Sequence, residues 1–181
     1  FIIGCVRSGT TMLRDVLRMH PDLDAPEETH FYRWSDPFGT EHSRKQLLNN
    51  RTLRRHREID GIGEQDFAGK VGEATTRREL IRTYMQRYLQ QKSPPARRWF
   101  DKTPQNVYGA AMLAADFPRS KFVHIVRNPL DVVLSLREGK VMEVPNLVGA
   151  CNYWRESAAI IATLKRALRK RLFELRYEDF L

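Results

Sequence analysis

The sequence predicts an α/β protein in which helices flank a central parallel sheet in three layers. Three observations predict it. The chain opens on an apolar run that ends in a glycine-bracketed turn, Phe1-Ile-Ile-Gly-Cys-Val-Arg-Ser-Gly-Thr-Thr11. Short β-rich runs then alternate with stretches of helical periodicity, the pattern of parallel strands joined by crossover helices. The loops after the later runs at Trp99 and Phe122 are basic, as the first is, so cationic turns gather at the carboxyl edge of the sheet, where ligands of such folds bind.

The opening turn has the outline of a phosphate-binding loop and makes the expected fold P-loop-like. In G-x-x-x-x-G-K-[ST], backbone N–H groups wrap an α/β-phosphate and the lysine reaches the β/γ-phosphates. Gly4 and Gly9 keep that five-residue step, but Thr10 stands where the lysine belongs. Such a loop can still hold one phosphate at the N-terminus of the helix beginning near Thr10. It lacks the usual charge for a triphosphate tail, and a cation returns inside the turn at Arg7.

The remaining elements follow in order. Thr10 to Met19 carries Met12, Leu13, Val16 and Leu17 at core-facing helical spacing and stops at His20-Pro21. The stretch from about Ser35 to Lys70 is less regular and reads as a helical insertion. Thr76 to Gln91 is periodic through Leu80, Ile81, Tyr84, Met85 and Tyr88, with Thr75 or Thr76 as cap, Glu79 placed for a capping box, and Ser93-Pro-Pro95 as the stop. Trp99-Phe100 reads as a strand, Asn106 to Asp116 as a helix, and Lys121 to Arg127 as a strand. Val132 to Arg137 begins a helix, Asn152 to Lys170 reads as a long one, and Leu172 to Arg176 as the last strand.

Composition bounds the function. The 181 residues fit a single domain, with 41% hydrophobic and 29% charged residues, large enough for a real core. The chain starts directly on a strand and stops at Tyr177-Glu-Asp-Phe-Leu181, so it reads as one domain truncated at both ends. No window approaches a membrane span. Cys5 and Cys151 lack metal spacing and read as plain thiols, Cys5 under the loop. A net charge of +9 predicts attraction to anions. Arginine supplies most of the excess and suits bidentate phosphate or sulfate contacts. The densest run, Arg44, Lys45, Arg51, Arg54, Arg55 and Arg57, reads as a solvated helix face, with a docking patch for an acidic acceptor as the alternative. No aromatic platform or recognition motif accompanies the charge, which argues against nucleic acid as a partner.

Arg7 to Thr11, Asp101-Lys-Thr-Pro104 and Arg127-Asn-Pro129 each follow a strand, and together they favour an anion site. Arg7-Ser-Gly-Thr-Thr11 with Arg127-Asn-Pro-Leu-Asp-Val-Val-Leu-Ser135 resembles the paired signature of sulfotransferases that use 3′-phosphoadenosine 5′-phosphosulfate (PAPS). With His20-Pro21 and Glu27-Glu-Thr29 following, the chain is most similar to tyrosylprotein sulfotransferases and related bacterial enzymes. The resemblance implies that Arg7, Ser8, Gly9, Thr10 and Thr11 hold the 5′-phosphosulfate. It also implies that Arg127 and Ser135, eight positions apart, bind the 3′-phosphate, and that Tyr177 contacts the adenosine. It places Glu28 as the catalytic base, ahead of Glu27 and His30, and Arg7 and Lys102 as stabilisers of the transferring group. His124, inside an apolar strand, reads as a core residue, and Glu27 with Glu28 alternatively as favouring the N-terminus of a segment beginning near Thr29.

The chemistry agrees with the resemblance. In-line transfer of a sulfuryl group to a hydroxyl needs a held donor, neutralised oxygens and a base for the acceptor proton. It needs neither a Walker lysine nor a metal. The expected partner is a hydroxyl-bearing acceptor, whether protein tyrosine, glycan or small alcohol. Two other classes stand beside this reading, a P-loop nucleotide kinase and a non-catalytic anion-binding module. Oligomeric state is left open. So is the compartment, cytoplasm if the chain is bacterial and Golgi lumen if the full-length protein carries an anchor.

Overall fold

The computed structural model describes residues 1–34, 36–92, 96–139 and 144–180. The expected helix stop at Ser93-Pro-Pro95 lies outside the described residues, as do Ser35 and Leu181. In chain order the elements are β1 (Ile2–Ile3), α1 (Thr10–Arg18), β2 (Leu23–Asp24), α2 (Glu41–Asn49), α3 (Arg51–Asp60), α4 (Glu64–Glu73), α5 (Arg77–Leu89) and β3 (Arg98–Trp99). A 3₁₀ turn over Pro104–Gly109 leads into α6 (Ala110–Asp116), followed by β4 (Phe122–Val126), α7 (Pro129–Arg137), α8 (Leu147–Leu168) and β5 (Leu172–Arg176).

β1, β4 and β5 form a parallel sheet with β4 central, Ile2 opposite Val123 and Val123 opposite Phe173. β2 and β3 form a parallel pair, Leu23 opposite Arg98. The segment after β3 joins the two. Phe100 N–H donates to Asp24 C=O at 3.0 Å, and Ile2 N–H donates to Asp101 C=O at 2.8 Å. A parallel bridge between Ile2 and Lys102 completes the lateral order β2, β3, β1, β4, β5. Lys102 is thereby carried to the carboxyl edge beside the first loop.

Successive strand residues point to opposite faces, and the core divides accordingly. Ile3 and Phe122 join a large cluster with Phe31, Phe67, Leu80 and Met85, while Ile2 and Ile125 pack with Leu13 of α1. Both sheet faces are covered, the three-layer arrangement expected of a parallel sheet. On α5, Leu80, Ile81, Tyr84, Met85 and Tyr88 are buried as their spacing predicts. Thr76 caps this helix by accepting from Glu79 N–H at 3.1 Å, and the Glu79 carboxylate answers at Thr75 N–H, 2.8 Å, one residue before the standard box partner.

Several boundaries differ from the sequence reading. The sequence reading assigns no strand at β2, because two residues leave no periodicity. α8 starts at Leu147 rather than Asn152, since Asn146 Oδ1 accepts from Val148 and Gly149 N–H and opens the helix earlier. α7 starts at Pro129 behind the Asn128 cap, and the stretch from Asn106 begins as a 3₁₀ turn. Val16 is 45% exposed, so the buried stripe of α1 is narrower than its periodicity suggests.

Helices α2 to α4 occupy the irregular stretch. The basic run there is not uniformly solvated. Arg57 is 2% exposed and donates to both carboxylate oxygens of Glu64, at 2.8 and 2.7 Å, and to Leu47 C=O at 3.1 Å. Its guanidinium lies 4.2 Å from the Phe67 ring centroid. An arginine with all these partners can be interior, whereas Arg44, Lys45, Arg51, Arg54 and Arg55 are exposed. Among the described residues no helix is long and apolar enough to cross a membrane.

Candidate active site

The loop from β1 to α1 is built on backbone geometry few residues tolerate. Gly9 caps α1 with φ 86° and ψ 12°, and a Cβ there would lie 2.4 Å from the Tyr177 ring. Arg7 takes φ 67°, a left-handed conformation rare for a residue with a side chain and concentrated at functional sites. Ser8 is fully buried, and its hydroxyl has no partner among the described residues. The loop runs directly into the nine residues of α1, whose first N–H groups and dipole favour an anion.

Two side-chain groups meet at this loop. In the first, Arg7 Nε donates to Ser135 Oγ at 2.9 Å, and Arg127 Nη1 donates to Arg7 C=O at 3.2 Å. The Arg127 guanidinium sits 4.6 Å from the Tyr177 ring centroid. Arg127 Nε is buried without a hydrogen bond among the described residues; Asp131, the carboxylate paired with it, stays at 3.8 Å. Arg7, Arg127, Asp131, Leu134, Ser135 and Glu138 line an open cavity of about 560 Å³. Four of the residues expected to hold the donor, Arg7, Arg127, Ser135 and Tyr177, are thus linked in a chain of contacts. Tyr177 packs on Gly9 and under Arg127.

The second group lies at the start of α1. Lys102, 2% exposed, donates from Nζ to Glu28 Oε1 and lies 3.4 Å from Thr11 Oγ1. His30 Nε2 is 3.3 Å from Glu28 Oε2 but outside hydrogen-bond geometry, so both ring nitrogens of this buried histidine lack partners among the described residues. Its ring stacks on His56 at 5.6 Å, and His56 Nδ1–H donates to Glu28 C=O at 2.9 Å. Burial by itself would raise the pKa of Glu28. The close approach of His30, with Nε2 3.3 Å from Oε2, and the charge of Lys102 overcome it and lower the value to about 2.

Glu27 has a different fate. Its carboxylate accepts from Arg14 Nη1 at 2.7 Å, and its N–H donates to Asp60 Oδ1 at 2.8 Å. Among the described residues no helix begins near Thr29, so helix-end stabilisation does not account for the acidic pair. His124 is 5% exposed within β4, with Nδ1 3.4 Å from Glu174, and burial lowers its pKa. It is a core residue, as its apolar strand suggests.

Sequence reasoning missed the support beneath Glu28. Thr103 Oγ1 accepts from Thr29 N–H at 2.9 Å and Asn106 Oδ1 from Tyr32 N–H at 3.1 Å. Both side chains donate to the carboxylate of Asp101. The run Asp101-Lys-Thr-Pro-Gln-Asn106, polar yet following a strand, was the available signal. Among the described residues no cluster of three or more His, Cys, Asp or Glu is arranged to hold a metal ion.

A parallel sheet with its phosphate loop at the first strand end defines a P-loop-like α/β domain. A family model described as "Sulfotransferase family" matches residues 1–181, and the chain belongs to the sulfotransferase family. It is similar to nodulation protein NoeE of Sinorhizobium fredii (strain NBRC 101917 / NGR234), 26% identical over 140 residues, covering 76% of this chain and 30% of that protein. It is likewise similar to protein-tyrosine sulfotransferase 2 of Gallus gallus, 27% identical over 141 residues, covering 78% of this chain and 34% of the relative. The chain therefore spans about a third of the length of these curated relatives. The sulfotransferase domain of the Synechococcus PCC 7002 olefin synthase superposes with a TM-score of 0.74 at 27% identity, over 99% of this chain and 66% of that one. A sulfotransferase from Alicyclobacillus acidocaldarius shares the fold, with a TM-score of 0.57 at 19% identity over 99% of this chain and 73% of that one.

Proposed function

We propose that the domain transfers a sulfuryl group from PAPS to an acceptor hydroxyl, with Glu28 as the base. The observation that carries this reading is the buried Lys102 ammonium, bonded to Glu28 and 3.4 Å from Thr11 in the first turn after the phosphate loop. A base and a cation are thereby set beside an anion-binding helix end. The site also fits an anionic nucleotide, since Ser8 Oγ and Arg127 Nε are buried polar atoms without partners among the described residues. Ser8 to Thr11 would hold the 5′-phosphosulfate, and Arg127 with Ser135 the 3′-phosphate. Arg7 bridges the two, its backbone in the loop and its Nε on Ser135.

The acceptor oxygen–sulfur bond forms as the sulfur–phosphate oxygen bond breaks, and the acceptor proton passes to Glu28. Lys102 and Arg7 neutralise charge on the transferring group and the departing nucleotide. A carboxylate held near a pKa of about 2 is a weak base. Lys102 turning from Glu28 to a donor oxygen relieves part of that depression, so donor binding strengthens the base. The acceptor is a protein tyrosine, as the name of the Gallus gallus relative suggests, a glycan hydroxyl or a small alcohol.

The test is transfer from ³⁵S-labelled PAPS by wild type and Glu28→Gln. The variant is expected to lose roughly 10² to 10⁴ in rate while binding 3′,5′-adenosine bisphosphate as wild type does. Full activity in the variant rejects Glu28 as the base. Magnesium-dependent phosphoryl transfer from ATP would instead place the chain among nucleotide kinases.

A further inference from the structure

We propose that Thr103 and Asn106 are positioning residues for this reaction, fastening the segment that carries Glu28 to the phosphate loop through the buried carboxylate of Asp101. The proposal rests on the reading of Glu28 as the base. Asp101 is 1% exposed and accepts from Thr103 Oγ1 at 3.0 Å and from Asn106 Nδ2 at 2.8 Å. Thr103 and Asn106, both fully buried, pass the constraint on to the N–H groups of Thr29 and Tyr32. These two amides bracket His30, whose φ of 57° is left-handed. Such a conformation persists only where its surroundings over-determine it.

The carboxylate sets the direction of both relays. Its oxygen accepts the single proton of Thr103, which leaves a Thr103 lone pair for the Thr29 N–H. Asn106 likewise turns its NH₂ toward Asp101 and leaves its carbonyl oxygen for Tyr32. Hydrogen bonds chained in this way polarise one another in a dry interior. The other side of the same hexapeptide is tied to the donor loop. Ile2 N–H donates to Asp101 C=O at 2.8 Å and Gly4 N–H to Pro104 C=O at 3.2 Å, with Lys102 between these anchors. One rigid piece of chain, residues 101–106, therefore sets the base, the lysine and the phosphate loop relative to one another.

The experiment measures transfer from ³⁵S-labelled PAPS to whichever probe wild type sulfates fastest, among an acidic tyrosine peptide, a neutral oligosaccharide and a small alcohol. Affinity for 3′,5′-adenosine bisphosphate and thermal stability are followed in parallel. Thr103→Val keeps the shape and removes the relay; it is expected to lower kcat about a hundredfold, the usual effect of a misplaced reacting group, with nucleotide affinity unchanged. Thr103→Ser restores the hydroxyl and should restore most of kcat, a recovery that packing loss alone would not give. Where Thr103→Val does not fold, Asn106→Ala, which leaves the Thr29 contact in place, carries the comparison. Unchanged kcat in Thr103→Val and Asn106→Ala, beside an inactive Glu28→Gln, overturns the positioning role and leaves the base intact. An active Glu28→Gln overturns the base and the positioning role with it.

Discussion

The ammonium of Lys102 is hydrogen-bonded to the carboxylate of Glu28, although the two residues lie 74 positions apart. The pairing arises because the strand edge that begins at Arg98 continues to Lys102 alongside Ile2, and the chain leaving β2 passes over it. Lysine and glutamate are both nearly or largely removed from water, with side-chain exposures of 2% and 23%. Neither could sit there alone without a large desolvation cost.

Acid stability should report this pair. The pKa of Glu28 is lowered in the folded protein from 4.5 to about 2, so its contribution is fully present above pH 4.5 and disappears as the pH falls toward 2. The shift corresponds to on the order of 3 kcal/mol. Lys102→Met removes one of the causes, and the difference in unfolding free energy between pH 6 and pH 2.5, measured by urea titration, should shrink. An unchanged difference would mean that the pair does not hold the carboxylate down.

The two thiols should behave as different chemical species. Cys5 is buried beneath the loop and burial pushes its pKa up to about 12, while Cys151 is exposed on α8. Thiolate is the reactive form. A thiol reagent at neutral pH should label Cys151 alone in the native protein and both residues in denaturant. Rapid native labelling of Cys5 would show that the loop opens.

Arg57→Ala should be among the most destabilising single changes outside the site. It removes a two-pronged pair to Glu64, a donor to Leu47 C=O and the packing of a guanidinium against Phe67. The expected loss is about 2–4 kcal/mol, read from chemical denaturation. The same substitution at exposed Arg55, which meets the Glu58 carboxylate at 3.4 Å, should change stability little.

Much of the fold and part of the site were legible in the sequence, for identifiable reasons. The loop from Gly4 to Gly9 could be found because its glycines keep a local spacing, and the pair Arg127 and Ser135 through the resemblance to sulfotransferases. α5 could be found because five apolar residues keep one helical face. β2 could not, since a strand of two residues has no period to detect. Arg57 looked solvated because an arginine in a polar helix reads the same whether its partners are water or Glu64. Thr103 and Asn106 were passed over because small polar residues after a strand resemble an ordinary turn. Their role depends on Asp101 being buried, which only the packed structure reveals.

The most direct test of the account is calorimetric titration of wild type and Arg127→Ala with 3′,5′-adenosine bisphosphate and with AMP. If the site built from Arg7, Arg127 and Ser135 receives the 3′-phosphate of a PAPS-type donor, the bisphosphate binds wild type far more tightly than AMP does. Arg127→Ala should then weaken the bisphosphate about 10- to 100-fold, the value of a lost charge-assisted contact, and leave AMP nearly unaffected. Equal affinity of wild type for the two nucleotides, or bisphosphate binding indifferent to Arg127→Ala, would contradict it.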